Sequence, residues 1–136
     1  MASSDLFTRS RGFDAFYGME LLEVGPERAT AQLLIRDEHK QPFGLLHGGV
    51  YAAMAEGLAS IATASVVLGQ GNAASGMSNQ TSFLRPVLDG TVHAVAECRH
   101  AGRTTWVWEV EFSDDLGRLC ALSRVTIAVR ELPQAA

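Results

Sequence analysis

Between Val50 and Leu68 the chain runs for nineteen residues drawn almost wholly from Ala, Val, Ile, Leu, Met, Gly, Ser and Thr, and Glu56 is the only charge among them. Such a run predicts one long helix, apolar nearly all round, opening at His47-Gly48-Gly49. It is nearly long enough to cross a membrane. Its Ala, Gly and Ser content makes it weakly hydrophobic, however, and a central carboxylate adds roughly 2.5–3.5 kcal/mol against insertion. A helix apolar on every side and not in lipid has to be covered by protein, so the rest of the chain should curl around it.

The remaining segments read as strands. Met19 to Val24 and Arg28 to Ile35 form a hairpin about the Gly25-Pro26 turn. Four more extended segments follow the helix: Ala74 to Leu84, Thr91 to Arg99, Thr104 to Ser113 and Leu119 to Glu131. Turn clusters separate them at Pro86 to Gly90, Ala101-Gly102 and Asp114 to Gly117. In the third, Trp106, Trp108, Val110 and Phe112 share one face and Val107, Glu109 and Glu111 the other, the mark of a half-exposed strand. Residues 5–16 suit a short amphipathic helix. Strands around a single helix predict an α+β fold with a curved antiparallel sheet of five to six strands, one domain over residues 1–136 with its core at about 15–130. The sheet's open edges and outer face favour a dimer.

A formal net charge of -4 and the lack of a Lys/Arg run argue against nucleic acid. Met1 to Arg11 lacks the apolar core of a secretory signal, and two cysteines without CxxC spacing suggest neither a disulfide framework nor a zinc site, so the expected compartment is the cytoplasm. Cys98 continues the apolar face Val92, Ala94, Ala96 and is expected as a buried free thiol.

Glu56 is the functional candidate, because a carboxylate taken out of water needs a partner or a role. On a helix it shares a face with Ser60, Gly49, Ala52, Ala53 and Ala64, small side chains that leave room for a bulky ligand. An ion pair with an arginine across a subunit contact is the structural alternative. Gly48 and Gly49 leave backbone N–H groups unobstructed at the positive end of the helix dipole, where an oxyanion or phosphate can be held. His47 and Glu56 are nine residues apart, half a turn out of phase, so one helical face cannot offer both to a metal; no metal is expected. Gly69, Gly71 and Gly76 follow the helix and make no nucleotide loop. Ser60 has no histidine near it in sequence, and His39, His93 and His100 read as surface or satisfied residues.

The run Gln41-Pro42-Phe43-Gly44-Leu45-Leu46-His47-Gly48-Gly49, followed by Ala55-Glu56 and Ser60, resembles the signature of the hotdog-fold acyl-CoA thioesterases. It is most similar to the branch containing the phenylacetate-degradation, Arthrobacter-type 4-hydroxybenzoyl-CoA and 1,4-dihydroxy-2-naphthoyl-CoA thioesterases. The resemblance implies a long central helix wrapped by the sheet, no cofactor, and hydrolysis of an acyl-CoA. Glu56 would act as nucleophile or as base for water, the Gly48 N–H would polarise the carbonyl, Gln41 and His47 would orient the thioester, and Ser60 would support the nucleophile or the water. It also implies a site between two subunits of a homodimer, assembling to a homotetramer, in which Gly49 and the strand residues Asn79, Gln80 and Thr81 meet substrate. Arg85, Arg99 and Arg103 are candidates for the CoA phosphates, and each reads equally as an ordinary surface charge. Phe16, Tyr51, Met54 and Phe83 could line an acyl pocket suited to an aromatic ring or a medium aliphatic chain, and the resemblance favours the aryl group. Two other readings stand beside hydrolysis: an enoyl-thioester hydratase, and a non-catalytic acyl-CoA or acyl-carrier binding module.

Overall fold

The computed structural model of the chain describes residues 6–133. A short helix α1 (Gly12–Tyr17) precedes strands β1 (Glu20–Val24) and β2 (Arg28–Leu34) and a 3-10 turn at Asp37–His39. The long helix α2 (Gly48–Val67) is followed by β3 (Asn72–Phe83), β4 (Thr91–Ala101), β5 (Thr105–Ser113) and β6 (Leu119–Glu131). The first helix is shorter and later than the expected 5–16, because Arg11 is extended and Gly12 has a φ of +55°, so no helix can run through them. Asp5 lies outside the described residues.

The six strands form one antiparallel sheet in the order β1-β2-β4-β5-β6-β3, and α2 touches every strand of it. By length and composition α2 and the turn after it could cross a membrane, but here the sheet covers it, with Met54, Ala55, Leu58, Ala59 and Ala62 wholly buried. The sheet packs this closely because β2 and β4 turn small residues inward (Ala29, Ala31, Ala94, Ala96). In contrast, β5 presents Trp108 and Phe112 where the curl leaves more room. As expected, Trp106, Trp108, Val110 and Phe112 are buried, and Val107, Glu109 and Glu111 are on the wetter face.

A buried indole needs a partner for its N–H. Trp108 Nε1 donates to Thr63 Oγ1 at 2.9 Å, and that hydroxyl in turn donates to Ala59 O at 2.9 Å. This pair ties β5 to the middle of the helix. Thr63→Val keeps the shape but strands the indole N–H, so stability should fall by about 1–3 kcal/mol, measured by chemical denaturation, with Thr63→Ser losing less.

Cys98 departs from its expected burial. A bulge between Cys98 and His100 interrupts the alternation of β4, and the thiol ends half-buried, donating to His100 O at 3.5 Å. Burial still pushes its pKa up, which does not suit a nucleophile.

Candidate active site

His47 caps α2 with its side chain: Nδ1 accepts from the Gly49 N–H at 2.8 Å. Gly49 is therefore not a donor to substrate as expected, because the cap has taken its hydrogen. Gly48, one residue earlier, keeps an N–H at the positive end of the dipole for a ligand. Its lack of a Cβ lets the Phe83 ring rest on the helix start: a Cβ there would lie 2.7 Å from Phe83 Cε1, and this exposed ring would have to swing aside.

Gln41 sits on a tight loop leading to that start. Its N–H bonds Leu45 O at 2.8 Å, Gly44 turns back to Gln41 O at 3.0 Å with a φ of +88°, and Phe43 N–H donates to Gln41 Oε1. With its carbonyl oxygen held, the side chain presents the Nε2 amide as donor. Gln41, Gly48, Tyr51, Phe83 and Arg85 line a largely apolar cavity of about 390 Å³. Tyr51 is buried in its wall, its hydroxyl unpartnered among the described residues and its pKa pushed up to about 12, chiefly by burial. Of the other expected lining residues, Met54 is sealed in the core and Phe16 stands 81% exposed on α1.

Glu56 is not withdrawn from water as its surroundings in sequence suggested. It is exposed, on a face with half-buried Ala52, Ala53, Ser60 and Ala64 that the sheet leaves open beside edge strand β3. Its carboxylate lies over Gly76 of β3, where a Cβ would collide with Oε1. A second carboxylate, missed by sequence reading, stands next to it. Asp14 of α1 packs on Gly57, whose added Cβ would come within 2.6 Å of Oδ2. Burial raises the Asp14 pKa, a hydrogen bond from Tyr17 Oη at 3.0 Å opposes the rise, and the charge of Glu56 adds to it. A glycine inside an apolar helix was the available sign of close approach, but it does not say what approaches.

The strand candidates separate by the period of two. Asn79 and Thr81 face the helix: Asn79 Nδ2 donates to Ala52 O at 2.9 Å, and Thr81 Oγ1 bonds Asn79 Oδ1 and Ser123 Oγ. Gln80 points to the sheet's other face, in a cleft with Glu109, Leu122 and Arg124, away from this helix. Arg85 lies at the cavity by Gly48, whereas Arg103 lines a separate cavity of about 660 Å³ with Asn72 and Arg130 at the far end of β3. Among the described residues no group of three His, Cys, Asp or Glu side chains could hold a metal.

One long helix inside a curled antiparallel sheet is the hotdog architecture, and its N-terminus leaves the Gly48 N–H outside the cap. Residues 43–121, more than half of the chain, match the family model described as the thioesterase superfamily, and the chain belongs to that family. It is 36% identical over 120 residues to the 1,4-dihydroxy-2-naphthoyl-CoA hydrolase of Listeria monocytogenes, covering 88% of this chain and 97% of the relative. It is also 37% identical over 112 residues to the proofreading thioesterase EntH of Cronobacter turicensis, covering 82% and 81%. The crystal structure of thioesterase HI1161 from Haemophilus influenzae superimposes with a TM-score of 0.84 at 34% identity, over 92% of this chain and 87% of that one. The chain is a thioester hydrolase of hotdog fold.

Proposed function

We propose that this enzyme hydrolyses an aryl-CoA thioester to the free acid and CoA, at a site built from two copies of the chain. The observation that carries the two-copy reading is the spacing along α2. Gly48 and Glu56 are eight residues apart, a rise of about 12 Å, and Glu56 does not line the cavity at Gly48. A thioester carbonyl whose oxygen is on the Gly48 N–H cannot also have its carbon against the carboxylate of the same helix. Glu56 is instead exposed beside β3, a twelve-residue strand that among the described residues pairs only with β6. Antiparallel pairing of β3 with its copy, about a two-fold axis, covers that open edge and gives each Glu56 to its partner's helix start. The same operation carries the Arg103 end of one β3 toward the Arg85 end of the other, so both arginines serve one CoA.

In this site the Gly48 N–H and helix dipole stabilise the oxyanion, and Gln41 and His47 hold the thioester from the same side. Glu56 of the other copy attacks the carbonyl carbon or takes a proton from the attacking water, with Ser60 one turn on along its face. In the general-base form the thiolate leaves the adduct formed by water and takes up a proton, giving acid and CoA; in the direct-attack form its departure leaves an acyl–Glu56 anhydride, which a water then cleaves to the free acid and the regenerated carboxylate. A thioester is activated enough that one carboxylate and these donors suffice. The aryl preference is supported by the apolar cavity walled by Tyr51 and Phe83 and by the relative's naphthoyl substrate.

Thiol release from benzoyl-, hydroxybenzoyl-, hydroxynaphthoyl- and phenylacetyl-CoA and from C4 to C16 acyl-CoAs tests this. An aryl subset should turn over fastest. Release from aliphatic chains alone would remove the aryl assignment, and saturable binding without release from any ester would replace hydrolysis by a binding module.

A further inference from the structure

His39 lies at the root of the loop that carries Gln41 and His47, and it is one of the few polar side chains buried in this fold, 4% exposed. A buried imidazole is costly unless both nitrogens are satisfied. Here both are. Arg36 N–H donates to Nδ1 at 2.9 Å, and Nε2 lies 2.5 Å from Tyr17 O at the end of α1. An amide can only donate and a carbonyl can only accept, so the ring is neutral with its proton on Nε2. The ring thus spans two elements that have no covalent reason to stay in register, α1 and the 3-10 turn. The residue's backbone carries that placement onward: His39 O accepts from His47 N–H at 2.8 Å, closing the loop at the helix cap. On the other flank Leu46 N–H bonds Val87 O at 2.8 Å.

We propose that His39 is a positioning residue for this reaction: its doubly bonded ring fixes the loop that presents the Gln41 amide and seats His47 as the cap of α2. The inference rests on the roles given above to Gln41 and His47. An apolar side chain would fill the same space, but only a group with an acceptor on one edge and a donor on the other sets direction as well as volume. Removing the ring leaves the backbone bonds of residue 39 to Arg36 O and His47 N in place. The loop should therefore survive and lose its aim.

The test compares steady-state kinetics of wild type, His39→Leu and His39→Gln on the best CoA ester, with thermal melting of each. His39→Leu keeps the apolar volume and deletes both bonds; kcat should fall about tenfold to a hundredfold with KM within about twofold, as for a misaimed group. His39→Gln offers an acceptor and a donor and should recover most of the lost kcat. Wild-type kcat in His39→Leu, with only a lower melting temperature, would make the ring a packing residue and overturn the proposal; so would equal losses in Leu and Gln. Should His39→Leu not fold, His39→Asn, which keeps the Arg36 bond and loses the Tyr17 bond, takes its place with the same two outcomes. Absence of turnover in wild type would overturn the hydrolase reading itself, a result that needs no variant to recognise.

Discussion

Glu56→Gln is expected to cut turnover on the best CoA ester by about a thousandfold while leaving the unfolding transition within about 0.5 kcal/mol of wild type. The separation follows from where the residue is. Glu56 is exposed on an otherwise apolar helix, and the amide has the same shape and meets the same Gly76 backbone. Nothing in the core depends on its charge. What Gln lacks is the lone-pair basicity and nucleophilicity that either form of the reaction requires. Thiol release and chemical denaturation on the same preparations check both halves. Turnover near that of wild type would remove Glu56 from the chemistry. Glu56→Asp sharpens the mechanism: a sizeable remaining rate favours general-base action through water, which tolerates a shorter arm, over direct attack, which does not.

The same residue shows what was legible in the sequence and what was not. Turn residues such as Gly25-Pro26 and Pro86 to Gly90 cut the chain correctly, and alternation gave the buried face of β5. The α2 stretch announced a covered helix, and the small side chains around Glu56 (Ala52, Ala53, Ser60 and Ala64) marked the strip left open. A helix apolar nearly all round has little phase of its own, so that reading rested on side-chain size and on the one charge. What was not legible is that the carboxylate on this strip would be exposed and not withdrawn from water. Grouping Asn79, Gln80 and Thr81 as a set neglected the pleat, which the sequence does specify. Asp14 against Gly57 and His39 against Tyr17 are contacts across 43 and 22 positions. They depend on where α1 docks, and no local propensity carries that information.

Gly48→Pro should be nearly as damaging as loss of Glu56, by a different route. Proline deletes one atom of interest, the N–H, and the first helical position tolerates it. His47 already has a φ of -65° and a ψ of 132°, the extended geometry that a following proline demands. Loss of an oxyanion donor should lower kcat by about a hundredfold to a thousandfold. Gly48→Ala is the control, since it adds the Cβ that meets the Phe83 ring yet keeps the N–H; Phe83 is exposed and can swing, so most of the activity should remain. Paired with Glu56→Gln, the proline variant also decides how the site is assembled. If each site takes Gly48 from one copy and Glu56 from the other, a mixed dimer of the two variants contains one site with both groups intact and one with neither. Refolding equal amounts together should then restore about a quarter of wild-type activity, half the dimers being mixed and half their sites whole. Had both groups come from one chain, every site in the mixture would lack one of them, and refolding would restore nothing.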